Sequence, residues 1–101
     1  PHVNVILTNN DAGALGAYEA FKAAGIEGAA IVGLDATQEA LDKIREGGNF
    51  VGTVDNNAYG TGVLAIETLD LVLDEDGNIT PLDAPNFVKI IPVTIENIDD
   101  F

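Results

Sequence analysis

Three times within its first 57 residues the chain repeats one phrase: a short apolar run, a polar cluster, then a helix-type pattern. Residues 3–7 lead into Thr8-Asn9-Asn10-Asp11-Ala12, residues 29–34 into Asp35-Ala36, and residues 50–54 into Asp55-Asn56-Asn57. Apolar runs with so little alternation are expected of strands covered on both faces. Ala14, Leu15, Tyr18, Phe21 and Ala24 then recur at helical spacing, with Asp11 able to cap the helix and Gly25 to stop it. Thr37 can cap a second helix carrying Ala40, Leu41 and Ile44, which Gly47-Gly48 closes. A third helix is expected from Tyr59 to Leu73. Strands and helices alternating over short connections predict an α/β fold, a parallel sheet with flanking helices built by right-handed crossovers.

Beyond Leu73 the pattern changes. Asp74-Glu75-Asp76-Gly77-Asn78 reads as a turn, with Gly77 supplying the positive φ, and residues 81–85 as irregular loop. Residues 87–91 and 93–95 are β-type runs separated by Pro92. Proline donates nothing to a ladder, so the chain is expected to break or change partners there.

In open α/β sheets ligands bind beyond the carboxyl ends of the strands. Asn10, Asp35 and Asn56 stand at three such ends. An asparagine amide both donates and accepts, so it can pair with two adjacent hydroxyls, and a carboxylate can accept several hydroxyl bonds. The same residues also have an ordinary structural use, as helix caps and braces of the strand ends. Their convergence at three ends says more than any one of them.

Composition narrows the chemistry. The net charge is −13, from 17 acidic against four basic residues, which repels phosphate backbones and anionic membranes. Nucleic-acid binding is therefore excluded, and the apolar runs are too short to insert into a bilayer. Without cysteine there are no disulfides, thiolate metal sites or cysteine nucleophiles. His2, the only histidine, lies at a terminus where it makes a poor general base. Gly60-Thr61-Gly62-Val63-Leu64-Ala65 fits G-x-G-x-x-A, but residues 55–59 separate it from the preceding strand, and close helix packing explains the glycines better. A calcium loop with Gly77 at its sixth position would begin on Val72 and end on Asp83, so a plain acidic turn is the better reading. Neither a nucleophile–base pair nor a receiver-type acid and lysine set is present. Binding without catalysis, cofactor or metal is the expectation.

These residues also carry a resemblance. The stretch from Ile6 to Ala17, with its Asn-Asn-Asp-Ala junction, the stretch from Ile31 to Ala36 followed by Glu39-Ala40-Leu41, and Gly52-Thr53-Val54-Asp55-Asn56 match in order the signatures of periplasmic sugar-binding proteins. The chain resembles the C-terminal portion of that family, in its galactose/glucose- and ribose-binding branch. Ile91-Pro92 and Ile98-Asp99-Asp100-Phe101 have counterparts too. The resemblance implies that Asn10, Asp35 and Asn56 bind monosaccharide hydroxyls from one wall of an interlobe cleft, with Leu34 lining it. It implies a two-lobe protein of which this chain is an incomplete piece. Residues 1–55 would belong to the C-terminal sugar-binding lobe, 56–91 to the crossing and the N-terminal lobe, and 92–101 to a return strand and tail. The missing N-terminal portion would hold the stacking aromatics, or the piece would refold as a swapped oligomer. Implied partners are an ABC permease and a chemoreceptor. The implied location is the periplasm, or the cell exterior through a lipid anchor in a Gram-positive organism. Calcium departs from the pattern, because Asn4 stands where the family's galactose-binding branch has a glutamate ligand.

Two other readings compete: the effector-sensing domain of a transcription regulator of the lac repressor type, and a non-binding α/β scaffold whose polar strand ends are only caps. A helix-turn-helix segment upstream would mark the first.

Overall fold

A computed structural model describes residues 3–101; His2 lies outside the described residues. The chain divides into two compact units, one formed by residues up to Asn56 together with Ile90–Phe101, the other by Asn57–Lys89.

In the first unit, β1 (Val5–Leu7), β2 (Ala30–Val32) and β3 (Phe50–Asp55) are joined through α1 (Asp11–Ala24) and α2 (Gln38–Glu46). The strands lie in the order β1-β2-β3 and pair in parallel, as the alternation predicts. A fourth strand, β4 (Ile91–Thr94), adds to the free side of β3 in antiparallel register and makes the sheet mixed. Pro92 sits inside β4 opposite Val54, rather than breaking the strand. An edge strand has one side with no ladder to donate to, which is where proline is tolerated. Residues 87–90, expected to be β-type, form no strand.

Two consecutive right-handed crossovers in one direction put both helices on one face of the sheet. That face holds the core: Ala14 from α1, Ala40, Leu41 and Ile44 from α2, Ile31 and Phe50 from the central strands, and Val93 and Ile98 from the tail. The expectation of strands covered on both faces fails for β1, where Val5 is 56% and Leu7 75% exposed. Residues alternate in direction along a strand, so Val5, Leu7 and the exposed Val51 belong to the face opposite the helices.

The helix ends follow local chemistry. Asn10, not Asp11, caps α1, its Oδ1 accepting from the Gly13 amide at 2.8 Å, while Gly25 in the left-handed region closes the helix. Thr37 caps α2 as expected, accepting from the Ala40 amide. In the second unit, α3 (Ala58–Val72) is capped by Asn57 and followed by the acidic turn, with Gly77 at φ 80°. None of the side chains in this unit is buried.

Candidate polyol-binding wall

Parallel pairing brings the carboxyl ends of β1, β2 and β3 side by side, and with them the loops bearing Asn10, Asp35 and Asn56. All three belong to the first unit. Asp35 and Asn56 meet directly: Asn56 Nδ2 donates to Asp35 Oδ1 at 2.8 Å. A carboxylate only accepts, so this bond fixes the orientation of the Asn56 amide and leaves its oxygen, and the second Asp35 oxygen, unengaged among the described residues. Asp35 is exposed, and Asn56, Asn10 and Leu34 are half-buried.

Asn10 serves the structural purpose as well. Its oxygen is used as the α1 cap, and its Nδ2 group is not engaged among the described residues. The wall thus offers one donor amide beside two acceptor oxygens. Such a set complements neighbouring hydroxyls and carries no cation to draw an anionic ligand.

Asp35 is held in an uncommon conformation, with φ 122°, and Ala36 follows at φ 52°. Non-glycine residues at positive φ persist only where their surroundings over-determine them. Four consecutive backbone groups supply that restraint. The Leu34 carbonyl accepts from the Asp11 amide at 2.7 Å, and the Asp35 amide donates to the Val54 carbonyl at 2.8 Å. The Ala36 amide donates to Thr53 Oγ1 at 3.3 Å, and the Thr37 amide to Asp11 Oδ2 at 2.8 Å.

Sequence reading misses the residue at the centre of this arrangement. Asp11 is fully buried, its carboxylate accepting from the Thr37 amide, from the Thr37 hydroxyl at 3.0 Å and from the Thr53 hydroxyl at 2.6 Å. The signal available in the sequence is Gly33, a glycine at the end of an apolar strand where a side chain would ordinarily add packing.

Other candidates resolve differently. Asp74 turns on its own loop: Oδ1 accepts from the Asp76 and Asn78 amides, Oδ2 from Asn78 Nδ2. Among the described residues no cluster of three or more His, Asp or Glu side chains could hold a metal ion. No described helix is long and apolar enough to cross a membrane. A shallow cavity of about 220 Å³ opens by the end of α1 and the start of β3, lined by Tyr18, Phe21, Ile26 and Asn49, away from the polar strand ends.

Residues 1–78 match the model of the periplasmic binding protein domain. The chain is 32% identical over 101 residues to a xylitol-binding protein of Mycolicibacterium smegmatis, covering 98% of this chain and 27% of that one. It is 43% identical over 65 residues to the D-galactose/methyl-galactoside binding periplasmic protein MglB of Haemophilus influenzae, covering 64% of this chain and 19% of that one. Its structure is similar to that of a Caulobacter myo-inositol binding protein bound to myo-inositol, with a TM-score of 0.74 at 29% identity over 96% of this chain. The chain spans 32% of that structure, and less of the two sequence relatives. The matching domain model, the mixed α/β sheet and the polar ends of its parallel strands agree: the chain belongs to the periplasmic binding protein domain family.

Proposed function

We propose that this chain supplies one wall of a binding site for a neutral monosaccharide or polyol in a periplasmic solute-binding protein that delivers its ligand to an ABC permease. The observation that carries the proposal is the Asp35–Asn56 pair, bonded at 2.8 Å across adjacent strand ends with one acceptor oxygen on each side chain unengaged among the described residues. The ligands for which the relatives are named, xylitol, galactosides and myo-inositol, share vicinal hydroxyls and no charge. Asn10 donates from the β1 end, Asp35 and Asn56 accept, and Leu34 lines the wall beside them. The residues that complete the cleft come from the rest of a two-lobe protein, with residues 1–55 and 92–101 in one lobe and 56–91 crossing to the other. In this reading the protein binds and releases its ligand unchanged.

Calorimetry on the full-length polypeptide carrying this segment tests the reading, against D-galactose, D-glucose, D-ribose, xylitol and myo-inositol. A hydrogen bond to a charged group contributes about 1.5–3 kcal/mol, so Asp35→Ala should weaken binding by roughly 10- to 100-fold. Asn56→Ala should cost about tenfold. Unchanged affinity in both variants would remove the site assignment even if a sugar binds.

A further inference from the structure

Asp11 presents a physical problem. Its carboxylate is fully buried, and the three donors it meets among the described residues, the Thr37 amide and the Thr37 and Thr53 hydroxyls, are all neutral. A buried charge is expensive to desolvate, and neutral donors offset less of that cost than a cation would. The start of α1 helps, since Asp11 is its first residue and the helix dipole favours an anion there. Stability alone is a weak reason to keep such a group.

The bonds Asp11 makes all converge on one place. Its amide holds the Leu34 carbonyl and its Oδ2 holds the Thr37 amide, so one residue grips both ends of the segment 34–37. Its Oδ1 accepts from Thr53, which fixes that hydroxyl with its lone pairs toward the Ala36 amide, 3.3 Å away. Between these grips lie Asp35 and Ala36, both at positive φ. Released from them, the pair has every reason to relax toward ordinary backbone, and the Asp35 carboxylate would turn with it.

We propose that Asp11 is a positioning residue for the ligand wall: acting through Thr37 and Thr53, it holds the Asp35–Ala36 turn in the conformation that aims the Asp35 carboxylate. The proposal rests on the reading of Asp35 as a ligand contact. Thr53 is the second member of the device, because its hydroxyl donates to Asp11 while accepting from Ala36.

The test uses Asp11→Asn, Thr53→Val and Thr53→Ser in the full-length polypeptide, each with and without Asp35→Ala. The readouts are calorimetric affinity for D-galactose, xylitol and myo-inositol, and amide hydrogen exchange at Ala36 and Thr37. In Asp11→Asn one acceptor oxygen becomes an NH2 group that faces existing donors. Affinity is expected to fall at least tenfold, and exchange at Ala36 and Thr37 to accelerate. Thr53→Val, which removes both bonds of that hydroxyl and keeps the shape, should lose several-fold, and Thr53→Ser should retain wild-type affinity. With Asp35→Ala already present, Asp11→Asn and Thr53→Val should each change affinity less than twofold, since the group they position is gone. A residue that merely supports the fold would lower the melting temperature without this dependence on Asp35.

If Asp11→Asn fails to fold, Thr53→Val and Thr53→Ser carry the same comparison. Exchange at Ala36 and Thr37 unaltered by Thr53→Val overturns the proposal without reference to any ligand. Asp35→Ala losing affinity while Thr53→Val and any folded Asp11→Asn keep it overturns the positioning role alone. If Asp35→Ala also binds normally, the reading of the wall fails and the positioning role with it.

Discussion

Gly33 lies so close to Asp11 that a Cβ added to it would overlap the Asp11 carboxylate and stand 3.1 Å from the Asp11 Cα. The glycine is the counterpart of the buried acid: β2 must end without a side chain for α1 to begin with Asp11 beneath the loops. Gly33→Ala therefore forces either the carboxylate or the helix start to move. Overpacking of this kind costs about 1–3 kcal/mol and can exceed that where backbone blocks the relief. Urea unfolding of the variant should show a lowered midpoint with little change in slope. Ligand affinity should fall with it, because the displaced carboxylate is the one that grips the 34–37 segment. Wild-type stability in Gly33→Ala would mean that Asp11 is free to shift.

Asn57 caps α3 from the left-handed region, at φ 50°, with its Oδ1 accepting from the Gly60 amide at 3.0 Å. Two properties of asparagine are used at once, a capping oxygen and tolerance of that backbone. Asn57→Ala loses both, at about 1 kcal/mol for the cap and about 1–2 kcal/mol for the conformation. Asn57→Gly loses the cap and keeps the conformation, at only a few tenths of a kcal/mol. Hydrogen exchange at Gly60 and Thr61, the latter bonded to the Asn57 carbonyl at 2.9 Å, should rank the two variants in that order. Equal effects would show that the backbone conformation contributes nothing.

The exposed apolar surface predicts how residues 1–101 behave when separated from any other chain. Leu7 is 75%, Leu71 73% and Phe87 84% exposed, and the second unit buries none of its side chains. Apolar surface of this extent drives association unless it is covered. The net charge of −13 opposes it, and salt screens that repulsion. Sedimentation of the isolated 101 residues should show self-association that strengthens as salt rises. A clean monomer at high salt would mean that these side chains find cover within the chain.

The order of strands and helices was legible because each element satisfies its own local rules. Thr37 is a cap by residue type, Gly25 a stop by backbone freedom, and the apolar runs of β1, β2 and β3 have no other use in a chain this short. Polar ends could be placed for the same reason, since a strand that stops must hand its polar residues to a loop. Coverage was harder to read. The exposed Val5 and Leu7 look like any buried pair, because an apolar run records the need for cover and not which part of the chain provides it. Pro92 misled through a rule that holds inside sheets and lapses at their edge. Asp11 was hidden by position: beside a helix start, an acid is read as a cap, and only the spatial meeting with Thr37 and Thr53 gives it another task.

Asp74 should make the acidic turn sensitive to pH in one direction. The Asn78 side chain donates to its carboxylate, and the Asn78 and Asp76 amides add to that, holding its pKa below the ordinary value of 3.8. A carboxyl whose folded pKa lies below its unfolded one stabilises the turn fully above the unfolded value, and that contribution is lost as pH falls through the folded one. The Asp76 and Asn78 amides should therefore stay protected at neutral pH and lose protection only below the usual aspartate range. Carbon-13 titration of the Asp74 carboxyl should give a midpoint below 3.8. Asn78→Ala, which removes the largest cause, should raise that midpoint toward the ordinary value. A wild-type midpoint at or above it would mean that these bonds do not persist in solution, and the turn would then owe its shape to Gly77 at φ 80°.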